Sequence, residues 1–221
     1  LRIRIPSRIS ASEAIALQKR LSPLIEETSD FPSEIKYLVG CDATYLRGTT
    51  FAAATLVDYD RLVGLRLRAL KERTRFPYIP GLLAFREGPA VVRAIRSLRA
   101  QSYICLVDAH GLAHPRRFGL ACFVGLALDR PTIGVAKSLL CGQVHDDQVL
   151  DSNGRQIAEI VPLPGVSKVI YVSVGHKISL TDAVRIVRHS LTQRGPIPIA
   201  LAHEEVTRQK WLIRKSNQAS S

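Results

Sequence analysis

Two short apolar runs, each closed by an aspartate, constrain this chain most: residues 37–41 (YLVGC) before Asp42, and residues 103–107 (YICLV) before Asp108. A continuous apolar run bounded by a polar residue reads as a strand buried on both faces, and such strands occur in sheets covered by helices. If the two strands are neighbours, their carboxylates converge at one end of the sheet. Taken singly, each acid reads first as a residue that opens a turn or caps a helix. A third acid, Glu87, lies in 81–87 (GLLAFRE) at the front of a helical pattern. Three carboxylates brought together repel unless a divalent cation occupies the space between them, and hard oxygen ligands suit Mg²⁺, with Mn²⁺ as its substitute.

The surrounding pattern predicts the rest of the sheet. Ser10 and Glu13 have capping-box spacing and lead a helix over about 11–27. Residues 37–39, 51–57 and 65–68 read as three strands of a meander, with turns at Arg47-Gly48 and near Asp60. A helix over 91–98 carries Arg93, Arg96 and Arg99 as a basic ridge. A buried helix at 119–128, short strands at 132–135 and 169–174, and a helix capped by Ser179 follow. The order implies an α/β fold with a mixed central sheet, antiparallel in its first three strands and flanked by helices. At 221 residues and 46% hydrophobic content the chain is expected to form one domain, with 216–221 as a flexible tail.

The longest apolar stretch, 120–128, is broken by Gly125 and is about half the ~20 residues that cross a bilayer, so no membrane span is expected. No apolar segment follows Arg2, Arg4 and Arg8, so the start does not read as a secretory signal. Cys41, Cys105, Cys122 and Cys141 lack zinc spacing, and three lie in apolar runs, which implies reduced thiols in a cytoplasmic protein. Nothing calls for an obligate protein partner.

A formal net charge of +12 points to polyanions, nucleic acid before a membrane surface or a merely soluble basic face. Between Arg61 and Arg117 twelve Lys and Arg face three acids, so the excess sits around Glu87 and Asp108. His110 and His114 have the spacing of a zinc pair, but Gly111 and Pro115 disfavour the helix it needs; a backbone-holding and a phosphate-orienting role remain open for them. Lys137 follows an apolar strand, in G-V-A-K-S, where a phosphate-binding loop would need glycine rather than Ala136. It reads either as a solvated lysine or as a cation at the acids' end of the sheet. In F-P-Y-I-P-G (76–81), two prolines stiffen a loop whose tip, Tyr78, either packs on the core or projects to enter a base stack.

Jointly, P-Y-I-P-G-L-L-A-F-R-E (77–87), V-D-A-H-G-L-A-H-P-R-R (107–117) and T-I-G-V-A-K (132–137), with V-G-C-D (39–42) upstream, closely resemble the endonuclease V family of deoxyinosine-specific DNA repair nucleases. The resemblance implies a ribonuclease H-like fold. It matches Asp42, Glu87 and Asp108 to the metal-binding acids, Lys137 to the active-site lysine, Tyr78 to the DNA wedge and, on a weaker stretch, His203 to a histidine near the metal. It also implies a lesion-base pocket at Gly81, Leu83, Ala109 and Gly111, with His114 and Arg116 supporting the loop or a phosphate. The implied activity is Mg²⁺-dependent nicking at the second phosphodiester bond 3′ to deoxyinosine, leaving 3′-hydroxyl and 5′-phosphate ends. The alternatives are an inosine-specific endoribonuclease, acting on inosine-containing RNA, and a non-catalytic basic nucleic-acid binder. Two departures stand out: Ala109 where the family has glycine, beside the expected base pocket, and Cys122-Phe123 where Ser-His is common.

Overall fold

The computed structural model describes residues 9–218. Nine strands form one sheet: β1 (Tyr37–Leu46), β2 (Thr49–Asp58), β3 (Gly64–Arg73), β4 (Ile104–Val107), β5 (Thr132–Ala136), β6 (Gln143–His145), β7 (Gln148–Leu150), β8 (Gln156–Pro162) and β9 (Val169–His176). Their spatial order is β3-β2-β1-β4-β5-β9-β8-β7-β6. The meander is antiparallel as expected, β1, β4 and β5 are parallel, and the sheet returns to antiparallel pairing from β5 to β9. Helices α1 (Ala11–Leu21), α2 (Leu83–Ser97), α3 (Leu120–Leu128), α4 (Leu180–His189) and α5 (Ile197–Gln218) flank it, and a two-residue hairpin pairing Leu191–Thr192 with Gly195–Pro196 joins α4 to α5, giving a mixed α/β fold of the ribonuclease H-like class.

The period-two alternation of β2 separates the faces of the sheet. Ala52, Ala54 and Leu56 point into the main core with α2 and α3, whereas Ala53 packs with Ala202 and Val206 of α5. At Gly40 the start of α5 crosses β1 so closely that a Cβ would lie 2.0 Å from the carbonyl carbon of Pro198. Only a residue without a side chain permits that approach. It brings the next turns of α5 down over β1, two residues before Asp42.

Several expected boundaries move. The first helix ends at Leu21 rather than at 27, because Pro23 turns the chain into a single 3₁₀ turn, Ser22–Leu24. Its buried stripe is Ala14, Gln18 and Leu21. β1 continues past Asp42 to Leu46, since β2 pairs with it along its length while β4 stops at the Cys41–Val107 pair. α2 begins at Leu83, eight residues earlier than expected, and continues through Pro89, with Ala84, Phe85, Gly88, Ala90 and Val91 on its buried side. α5 runs through Gln218, into the stretch read as a tail, and residues 219–221 and 1–8 lie outside the described residues. No helix is long and apolar enough to cross a membrane, among the described residues.

Gly40→Ala is expected to lift α5 from β1 and cost about 1–3 kcal/mol. Chemical denaturation would show a lower midpoint with an unchanged slope.

Candidate active site

β1 and β4 run parallel and in register at Cys41–Val107, so the next residue of each strand is an aspartate at the same edge. The amide of Asp108 donates to the carbonyl of Cys41 at 3.1 Å, which locks the two ends together. Both carboxylates are about nine-tenths buried. Asp42 accepts from the amide of Ala43 at 2.7 Å through Oδ1 and meets His203 Nδ1 at 2.7 Å through Oδ2. Lys137 Nζ, one residue beyond β5, donates to Asp108 Oδ2 at 2.6 Å. The structure thus brings four of the expected residues into direct contact.

Ligand atoms of Asp42, Asp108 and His203 lie within 4.8 Å of one another, a spacing one cation can span. Glu87, in the second turn of α2, is not one of these grouped ligands but is near enough to feel the charge of both aspartates. Its carboxyl is pushed up to about 8 by burial first, then by the charge of Asp42, with Asp108 adding to it and Arg86 opposing. Asp42 is also raised, by burial and then by Asp108, against the pull of His203. Burial raises both carboxyls first and the neighbouring acids raise them further, as expected where carboxylates are crowded in a site that water barely reaches. The donor set, all hard oxygen with one imidazole, fits a divalent cation.

Tyr78 stands apart from this centre. Its side chain is 68% exposed, at the tip of the loop that leads into α2. The Arg86 guanidinium, next to Glu87, lies 4.0 Å from the ring centroid of Tyr45 and 5.5 Å from that of Tyr78, linking the loop to the acidic centre through a cation between two rings.

The base of the loop is pinned at one atom. The carbonyl of Gly81, whose φ is +76°, accepts from Gln18 Nε2 at 3.0 Å, His114 Nε2 at 2.9 Å and Arg116 Nη2 at 2.7 Å. Arg116 Nε donates in turn to Gln18 Oε1 at 2.6 Å, and Gln18 Nε2 also reaches the carbonyl of Phe118 at 2.8 Å. His114 Nδ1 accepts from the Arg116 amide at 3.2 Å, so its proton sits on Nε2. Burial, then the Arg116 charge, hold this imidazole down at about 4, and it is neutral. His114 and Arg116 therefore face the loop base. Gln18 is the residue that sequence reasoning missed. Its signal was a glutamine in the Ala14–Leu21 stripe, a polar residue at a helix position reserved for the core.

Of the expected base pocket, Gly81 and Leu83 are half-buried and Ala109 and Gly111 are buried. The Gly111 amide donates to Ser173 Oγ at 2.9 Å, and a Cβ there would lie 2.0 Å from the carbonyl oxygen of Val174. Two arginines of the basic ridge are bound into the fold, Arg93 to Glu72 and Arg96 to the carbonyl of Ala127 at 2.9 Å, while Arg66 of β3 donates to the carbonyl of Leu98.

The family model for endonuclease V matches residues 19–204. Among curated proteins, endonuclease V of Desulfurococcus amylolyticus is 42% identical over 200 residues, covering 86% of this chain and 90% of that protein. That of Thermofilum pendens is 37% identical over 208 residues, covering 90% and 89%. Among solved structures, Streptomyces avermitilis endonuclease V superposes with a TM-score of 0.84 at 29% identity, covering 100% of this chain and 99% of that one. Ciona intestinalis endonuclease V, solved in complex with a DNA containing an inosine followed by a ribo-adenosine, gives 0.84 at 26% identity, covering 91% and 98%. With the family model spanning most of its length and its acids gathered where the pairing of β1 with β4 stops, this chain belongs to the endonuclease V family.

Proposed function

We propose that this protein is a metal-dependent DNA repair endonuclease that nicks the second phosphodiester bond 3′ to deoxyinosine, leaving 3′-hydroxyl and 5′-phosphate ends. The observation that carries the reading is the convergence of Asp42, Asp108 and His203 within 4.8 Å, inside a fold matched by the endonuclease V family. Asp42, Asp108 and Glu87 would hold Mg²⁺, or Mn²⁺ in its place. When bound, the ion polarises the scissile phosphate and lowers the pKa of a nucleophilic water.

The chain's own groups do the remainder. Lys137, half-exposed, swings its ammonium from Asp108 to the phosphate oxygens as charge develops there. His203 is held by Asp42 through Nδ1, leaving Nε2 as the ring atom that orients the attacking water. Tyr78 fills the stack vacated by the flipped hypoxanthine. Gly81, Leu83, Ala109 and Gly111 wall the pocket that receives the base, and His114, Arg116 and Gln18 fix that wall by holding the Gly81 carbonyl. The enzyme nicks without removing the base, so other proteins complete repair. Its setting is the cytoplasm, in keeping with four unpaired thiols.

A second reading, cleavage of inosine-containing RNA, is favoured by the Ciona relative's complex, in which a ribo-adenosine follows the inosine. Matched deoxyinosine and inosine oligonucleotides separate the two: faster nicking of the deoxyinosine strand is expected, and a ribose-only activity reverses the assignment.

Asp42→Ala and Asp108→Ala are each expected to abolish nicking in Mg²⁺ while retaining binding to deoxyinosine DNA. Both should also lose the rise in Tm that Mn²⁺ gives the parent protein. Wild-type nicking by either variant removes that residue from the site.

Tyr78→Ala is expected to lose preference for deoxyinosine over undamaged DNA. Gln18→Leu should act in the same direction through the loop, raising KM for the lesion duplex while kcat at saturation changes little. Unchanged discrimination in both variants means that the loop does not read the lesion.

A further inference from the structure

The second half of α5 carries charge and aromatic surface that the acidic centre does not use. From Val206 to the end of the sequence there are four basic residues, Arg208, Lys210, Arg214 and Lys215, and no acid. Glu205 takes up Arg208 at 2.7 Å. At 3.6 residues per turn, His203, Lys210 and Arg214 fall along one line of the helix, with Trp211 and Lys215 beside them on its outer side. The register with β1 places that line. His203 meets Asp42, and one further stretch along the helix Lys210 Nζ donates to Thr44 Oγ1 at 3.3 Å, two residues past Asp42 on the same face of the strand. The row therefore begins at the acidic centre and extends away from it.

Trp211 is 52% exposed and Leu212 45%, on the far side of α5 from the buried Ala202 and Val206. The Lys215 ammonium lies 4.3 Å from the Trp211 ring centroid. An exposed indole flanked by cations is the arrangement with which proteins hold nucleic-acid strands: bases stack on the ring and phosphates meet the ammonium and guanidinium groups. At about 1.5 Å per residue, the ledge from His203 to Arg214 is ~16 Å long, roughly the rise of five nucleotides of duplex.

We propose that the row of Lys210 and Arg214 on α5, with Trp211 and Lys215 on its outer side, binds the nucleic-acid strand where it leaves the acidic centre. The occupant is nucleic acid because the face is basic and continuous with the site that takes the scissile phosphate. This inference rests on the nuclease reading above.

Trp211 is the only tryptophan in the chain, so its fluorescence reports this face directly. Titrating the full protein with a deoxyinosine duplex in EDTA should quench it. Trp211→Leu should weaken duplex binding about tenfold, the scale of one lost base stack, while the single-turnover nicking rate at saturating duplex in Mg²⁺ is kept. The double variant Lys210→Gln/Arg214→Gln should flatten the salt dependence of log K by about 1.8, two phosphate contacts' worth. Undiminished fluorescence at saturating duplex, or parental affinity and salt slope in these variants, overturns the proposal. So does a dimer in sedimentation that Trp211→Leu dissolves, which would assign the face to a second copy of the chain. If the parent protein is quenched and binds but nicks no inosine substrate, the nuclease reading fails and the strand-binding face stands.

Discussion

Parallel pairing of β1 with β4 forces two carboxylates together in a place that water barely reaches, and the rest of the site is built around that constraint. Two such charges about 5 Å apart repel by roughly 3 kcal/mol at an effective dielectric of 20. That exceeds what an exposed ion pair supplies. Lys137 and His203, both largely exposed, each answer one acid, and Glu87 beside them keeps its proton well above the usual carboxylate range. Hydrogen bonds fix the backbone on which the acids sit, so the strain cannot be relieved by moving apart. A divalent cation relieves it without motion. In the proposed reading this crowding leaves a position for a divalent cation, with Lys137 on Asp108 and His203 on Asp42 beside it.

A second constraint works in the opposite sense. The loop carrying Tyr78 is rigid where it joins the core and exposed at its tip, because Gln18, His114 and Arg116 spend their donors on the Gly81 carbonyl. Neutrality of His114 is part of this device: the ring that accepts from the Arg116 amide is left with one donor, and it points at the loop. Within the basic 61–117 stretch, Arg93 pairs with Glu72 of β3 and Arg96 donates to the carbonyl of Ala127 in α3, so these two also tie α2 into the fold.

The acidic centre was partly legible in the sequence: two apolar runs read as interior strands, and their pairing would bring Asp42 and Asp108 together, although β1 runs on four residues past Asp42. The antiparallel meander was legible for the same reason, through its alternation. Other elements were hidden by local signals that tertiary contacts overrule. Pro89 masked the first two turns of α2, where Glu87 resides. β6 and β7 have three residues each, too few to show a period. α5 turns from apolar to charged along its length, and the contact that seats it depends on Gly40, 158 residues before Pro198. His203 and Asp42, 161 residues apart, meet only through that distant approach. Gln18 carried one signal, a polar residue in the Ala14–Leu21 stripe, and its partners Gly81 and Phe118 lie 63 and 100 residues away.

Anomalous scattering from crystals of the protein grown with Mn²⁺ tests the central claim most directly. The account predicts a peak within ligand distance of carboxylate oxygens from both Asp42 and Asp108, with Glu87 and His203 facing it. Crystals that show Mn²⁺ only elsewhere, or Asp42 and Asp108 still bound to His203 and Lys137 with no peak between them at saturating metal, would contradict it.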